Sequence, residues 1–594
     1  MTKHILFCFL ALLSLFPAQA YAETPADRVF RNAVIFTSDS AHPSAEAVAI
    51  RDGRIVYVGP NSGVAPFIGR ATKVTDLHGG FLMSGLIDGH LHPLQGGLKM
   101  QTCSLDYESL TVEEFQRKIQ SCLDKTKNQE PGGWLEVESW FQESMRPAGV
   151  KTSRATLDSL KTSRPILVRS SFGHTALANS RALALAKLTS ASVDPPGGKI
   201  WRDADGDPTG LLEDSAQSAV SSLLPKPTPQ DELAAAKAAQ AALNHQGVTS
   251  FLDASGAPPS MDAFTALQTS GELTIRAHFA SLIEVEQGAN PAVAVAQVVA
   301  SRDKYDQGAL KPQPTITVRN AKLFLDGVIA APAMTGTMIE PYRMNTGTEN
   351  APRWVAGKSL GPDVYFPAAP LAEILIGLGR AGIDPHMHTD GDGAVRAALD
   401  AVATMRKALG SADIRPALAH TEIVHPTDFP RFRQLGVQPV LSMQWEKPAG
   451  DTLGLVDYFG PERMKIIEPS GRLAAAGARI AFGSDWPVDA LDEWFALKVG
   501  VTRTNSPSAP PEYHGRLGDD PGLSRETVLR AATIDAAYEL HQDDVTGSLQ
   551  VGKFADLIVL DRNPLTIPAE DIANVHVLET LLGGRTVFDA TPKN

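Results

Sequence analysis

The sequence predicts an α/β protein: a (β/α)8 barrel of the TIM type, with a small β-sandwich domain built from both chain ends and a subdomain inserted into the barrel. Three observations predict it. Short apolar strands alternate with Ala- and Leu-rich helical stretches through the middle of the chain, the pattern of parallel βα units. Eight strand candidates fall there, at 81–87, 248–252, 275–282, 315–325, 383–388, 417–423, 437–443 and 479–482. Strand-like pieces with hairpin signals stand at both ends. A doubly wound open sheet is the alternative, but no Gly-x-Gly-x-x-Gly turn follows an early strand.

The first segment, 1–22, has the layout of a secretory signal peptide: Lys3, an apolar run over 5–16, and Ala20-Tyr21-Ala22 as a small-x-small cleavage site. It predicts export to a periplasmic or extracellular space, with Cys8 removed. There Cys103 and Cys122 are free to pair, geometry permitting. Residues 23–80 supply the first part of the small β-domain, with Asp52-Gly53 as a hairpin turn, and 545–594 supply the second, with a Gly583-Gly584 turn. The barrel spans 81–544. The stretch 104–240 is too long for one connection and reads as the insertion; 231–245 and 394–409 read as helices. The Gly-, Pro-, Met- and Thr-rich stretch 327–366 reads as a lid or binding loop.

Composition narrows the function. The 594 residues carry 54 Lys and Arg against 67 Asp and Glu, a net charge of −13, which disfavours nonspecific nucleic-acid binding. Three cysteines exclude a disulfide scaffold and a Cys-type zinc finger. After the signal, no run reaches membrane-spanning length. The partner expected is therefore a small molecule, with homo-oligomerisation left open.

The sharpest local signal is Gly85-Leu-Ile-Asp-Gly-His90-Leu-His92. Two His one residue apart on an extended strand point the same way, so both can reach one divalent ion such as zinc. Further ligand-type residues end later strands: His388, His420 and Asp485, with Lys322 inside Ala321-Lys-Leu-Phe-Leu-Asp-Gly327. Barrel chemistry collects at the C-terminal strand ends, so these would share one rim.

Those motifs, with Gly173-His-Thr-Ala-Leu-Ala-Asn-Ser180, Gly198-Lys-Ile-Trp-Arg-Asp-Ala-Asp-Gly206, Gly391-Asp392, Gly483-Ser-Asp485 and Gly552-Lys-Phe-Ala-Asp-Leu557, resemble the metal-dependent amidohydrolase superfamily. Within it they resemble the branch of secreted hydrolases like N-substituted formamide deformylase. The resemblance implies two divalent metal ions, zinc by donor type. His90 and His92 would hold the first, and His388 and His420 the second. Lys322, carboxylated by CO2, would bridge them, and Asp485 would bind the first ion and carry the proton. His388 is preferred to His386 because Asp390-Gly-Asp392 follows it. At the sixth strand Ala419-His420-Thr421-Glu422 replaces the usual Glu-His, displacing a carboxylate.

The resulting expectation is a hydrolase of amide-like C–N bonds. His174 is a second catalytic or substrate-binding candidate, able to donate to a carbonyl oxygen developing negative charge. Gln444 and Trp134 are substrate-binding candidates, and for Trp134, Trp201 and Trp445 core packing competes with that role. A lactone, carbamate or cyclic imide hydrolase is the alternative enzyme, and a decayed secreted binding or regulatory protein the alternative class.

Overall fold

The computed structural model describes residues 24–126, 133–142, 145–147, 149–171, 173, 175–195, 198–330, 333–348 and 351–590. The expected signal segment and His174 lie outside them.

Eight parallel strands form the barrel: β1 (Leu86–Leu91), β2 (Val248–Gly256), β3 (Arg276–Leu282), β4 (Ile316–Phe324), β5 (Asp384–Thr389), β6 (Ala417–His420), β7 (Gln438–Leu441) and β8 (Ala481–Phe482). Each pairs in parallel with the next in sequence. The seam between β8 and β1 is drawn together just past the strands, where the Asp485 N–H donates to the His90 carbonyl at 2.7 Å. Gly483 permits that approach: a Cβ there would lie 2.5 Å from the His90 Cβ and 2.8 Å from its nitrogen. Helices such as Pro258–Thr269, Ala368–Arg380 and Asp392–Leu409 bury apolar faces against the strands.

The chain ends together build two sheets. One joins Arg54–Gly59, Ala47–Arg51, Arg28–Arg31 and Lys73–Asp76; the other joins Arg585–Asp589, Val577–Leu582, Leu557–Leu560, Phe81–Ser84, Val34–Phe36 and Ser44–Ala45. Phe30, Ile35, Val48, Leu82, Leu557 and Leu581 bury a common core between them. The strand read at 81–87 is therefore two. Phe81–Ser84 belongs to the small domain, and Gly85 separates it from β1.

The insertion is a six-stranded mixed sheet, ordered Gly198–Arg202, Pro208–Asp214, Thr175–Ala178, Ile166–Ser170, Leu135–Trp140, Cys103–Ser104. It closes earlier than the expected 240. The helix Pro229–Gln246 buries Ala236, Ala239 and Leu243 in the barrel core, so it belongs to the outer helical ring. Cys103 and Cys122 form a disulfide that ties the edge strand to the helix Val112–Thr126. The stretch after β4 is packed down: Ile329, Met338 and Tyr342 share a core with Ile423, Leu455 and Phe459.

Candidate metal centre

At the C-terminal mouth of the barrel the strand ends converge on a cavity of about 240 Å3. Lys322, His90, His92, His388, His420 and Asp485 all line it. Two donor groups face one another across it, His90, His92 and Asp485 in one, His388, Asp390 and His420 in the other, each with its ligand atoms within 4.8 Å of one another.

In the first group Asp485 Oδ1 stands 3.1 Å from His92 Nε2 and 3.5 Å from His90 Nε2. Asp88, within the same motif, fixes the backbone: its carboxylate accepts from the His90 N–H at 3.1 Å, the Ser484 N–H at 3.0 Å and the Ser484 hydroxyl. His90 is held from behind by a buried chain. Its Nδ1 lies 2.7 Å from His386 Nε2, and His386 Nδ1 lies 3.0 Å from Glu539 Oε1. Glu539 accepts a hydrogen bond from the His386 Nδ1–H, and the His386 Nε2 accepts one from the His90 Nδ1–H. The His90 lone pair is thereby left on Nε2, the nitrogen beside Asp485.

In the second group His388 Nε2 donates to the Gly327 carbonyl at 2.9 Å, leaving the lone pair on Nδ1. Its Nε2 also lies 3.4 Å from Asp390 Oδ1. The His420 ring stacks on Trp445, with centroids 5.4 Å apart. His420 at the end of β6 and Asp485 in the turn after β8 both lie in the left-handed region, at φ 71° and 54°. Such strain in non-glycine residues costs on the order of 1–3 kcal/mol each and collects at functional sites.

Between the groups lies Lys322, fully buried, its Nζ without a hydrogen-bond partner among the described residues. Burial pushes its pKa down to about 8. Burial, then the Lys322 charge, holds His90 and His386 well below the usual imidazole range; burial, then His388, does the same for His420. Neutral imidazoles are what a cation requires. Asp485 Oδ1, Asp390 Oδ1 and His420 Nδ1 are likewise buried without a hydrogen-bond partner among the described residues. Orphaned donors of these types around one space fit divalent metal, and an amine among them fits conversion to an anionic carbamate.

Of the other sequence candidates, Gln444 is buried and donates to the Ser484 carbonyl at 2.5 Å; it lines a neighbouring surface cleft rather than the metal cavity. Trp134, just before the strand Leu135–Trp140, packs against the insertion core of Leu167, Ile200 and Leu212 and is not among the residues that line the cavity. Trp201 is 38% exposed beneath Lys199. Trp445 is the tryptophan that lines the cavity. Sequence reasoning missed Asp253, which belongs to no metal motif but lies in the C-terminal half of β2, 4.0 Å from His92 Nδ1. It also missed Asp451, in the short helix Gly450–Gly454, and Glu468, in a loop, which both line the cavity. Glu422, noted only as a displaced carboxylate, lines it too, and burial, then Asp451, pushes its pKa up to about 8.

A parallel eight-stranded barrel whose mouth carries paired His–carboxylate groups around a buried lysine has the architecture of a metal-dependent hydrolase. The chain belongs to the amidohydrolase family, matched over residues 73–588. It is similar to the protein LONG AFTER FAR-RED 3 of Arabidopsis thaliana, 28% identical over 95% of this chain and 92% of that one. It is also similar to N-substituted formamide deformylase of Arthrobacter pascens, 24% identical over 95% of this chain and 99% of that one. A solved metal-dependent hydrolase from Pyrococcus horikoshii shares the fold, with a TM-score of 0.68 at 22% identity over 91% of this chain and 99% of that one.

Proposed function

We propose that the chain is an exported hydrolase cleaving an amide-like C–N bond of a small molecule, with two divalent metal ions, zinc by donor type. The observation that carries this is the pair of three-residue donor groups meeting around the orphaned Lys322 amine in one cavity. His90, His92 and Asp485 would hold one ion, His388 and His420 the other, and carboxylated Lys322 would bridge. In the neutral form, favoured by its lowered pKa, the amine adds CO2, forming an N–C bond and losing a proton. Bound ions of this kind polarise a carbonyl and bring the pKa of water from 15.7 to roughly 7.

The residues of the chain then do the rest. Asp485, beside both His90 and His92, accepts a proton from the attacking water and returns it to the leaving nitrogen. The chain Glu539–His386–His90 keeps the His90 lone pair on Nε2, the nitrogen that would hold the ion. Trp445, Phe324 and Leu455 give the cavity an apolar wall that excludes bulk water. The Cys103–Cys122 disulfide supports an oxidising compartment, consistent with export. The similarity to a formamide deformylase supports an amide bond over an ester.

Metal analysis of protein purified without chelators, with kinetics on N-substituted amides, formamides, lactones and cyclic imides, tests the reading. About two ions per chain and highest kcat/KM on an amide or formamide are expected. Lactone preference would replace the bond assignment. Protein that binds no metal would support a regulatory protein on a decayed scaffold.

A further inference from the structure

The metal donors account for only part of the charge in the cavity. Glu422, Asp451 and Glu468 also line it, and none belongs to either donor group. The one cationic side chain among the described lining residues is Lys322, which stands between the donor groups. Glu468 is the informative member. It is 7% exposed and opens onto the cavity, yet its carboxylate makes no hydrogen bond among the described residues.

The nearest cations spend their hydrogen bonds elsewhere, although Lys447 acts on Asp451, and Arg503 on Glu468, through charge alone. Arg503 is fully buried and spends its N–H groups on the Glu446 carboxylate at 2.9 Å and on the carbonyls of Leu517, Ile467 and Glu468. It therefore holds the Glu468 backbone rather than its carboxylate. Lys447 donates to the Gln444 carbonyl at 2.6 Å and lies 3.9 Å from Asp489, facing the neighbouring cleft. The Glu468 N–H donates to the Glu422 carbonyl at 2.7 Å, tying the two segments that carry these acids. The lining also carries apolar side chains: Phe324, Val328, Ala330, Leu455 and Val488. A buried carboxylate without a partner is costly as an anion, so it is either protonated or matched by a cation in the space it faces.

We propose that Glu422, Asp451 and Glu468 form a subsite for a positively charged substrate group, a protonated amine, amidine or guanidinium. The preferred substrates are then amide-like compounds in which a short apolar chain separates the scissile bond from a basic nitrogen. This rests on the hydrolase reading, whose metal centre supplies the reacting end of the same cavity.

The test pairs substrates of equal length, an N-alkyl amide and its terminal-ammonium analogue, on the metal-loaded protein, and measures butylammonium and butylguanidinium binding by calorimetry against butanol. The expected result is at least a tenfold higher kcat/KM for the cationic amide. Glu468→Gln and Glu422→Gln should each lower that ratio severalfold and weaken butylguanidinium binding, with the melting temperature checked for folding. Equal hydrolysis of both amides, with no cation binding, overturns the subsite and leaves the hydrolase standing. Cation binding weakened by Glu468→Gln, with neither amide hydrolysed, upholds the subsite and overturns the hydrolase assignment. Loss of a third metal ion in Glu468→Gln would also overturn the proposal, since a metal would then be the occupant.

Discussion

At the scale of single residues, the site is defined by side chains whose lone pairs or protons are assigned by their neighbours. The Glu539–His386–His90 chain is fully buried, so its hydrogen bonds do not compete with water. Glu539→Leu removes the acceptor that fixes the His386 proton and should lower metal affinity about 10–100-fold in chelator competition. Glu539→Gln, which keeps an acceptor, should restore most of it; equal loss in both would leave the chain without a positioning role. His278 offers a separate check. Burial, then Arg276, pushes its pKa down to about 3, so the folded protein holds it neutral. The unfolded chain takes up that proton near pH 6.5, so stability from this residue is complete above that pH. It is lost as pH falls toward 3, by about 1.4 kcal/mol per unit. Denaturant titrations at pH 7 and pH 5 should show a smaller pH penalty for His278→Gln than for the native protein.

At the scale of elements, strand ends make the centre, and backbone spacing makes the strand ends meet. A methyl group at Gly483 would press on His90, so Gly483→Ala should destabilise by about 1–3 kcal/mol and also weaken metal binding; an unchanged melting temperature and metal content would contradict this. This scale also shows what a sequence reveals. The apolar stretch ending in a polar residue is readable for β1, β5, β6 and β8, and it locates His90, His92, His388, His420 and Asp485 without coordinates. The division of 81–87 between two domains is not readable, because Phe81–Ser84 is as apolar as β1 and differs only in its partners, Val34–Phe36 and Leu557–Leu560. Asp451 and Glu468 lie in short helical turns and loops between β7 and β8, where no periodicity marks which side chains turn inward. Trp134 could not be placed because an aromatic just before a strand reads alike in a core and in a pocket.

At the scale of the whole molecule, the small domain and the barrel are joined by a buried ion pair. Arg276 at the start of β3 donates to Asp556 through Nε at 2.8 Å and Nη2 at 3.1 Å, and Asp556 also accepts from the Gly583 N–H at 2.7 Å. Asp556→Ala leaves a desolvated guanidinium and should cost about 3–5 kcal/mol of unfolding free energy, while replacement of both partners by apolar residues should cost less. A single Asp556→Ala loss under 1 kcal/mol would show that the interface does not depend on the pair. The same architecture orders events in time. Arg28 pairs through both terminal guanidinium nitrogens with Glu579, 551 residues later, and Phe81–Ser84 finds its second neighbour in Leu557–Leu560. During synthesis the opening strands must wait, with one sheet edge bare, until nearly the last residue has emerged. A ribosome that stops before 557 therefore releases a chain primed for aggregation, whatever the state of its barrel.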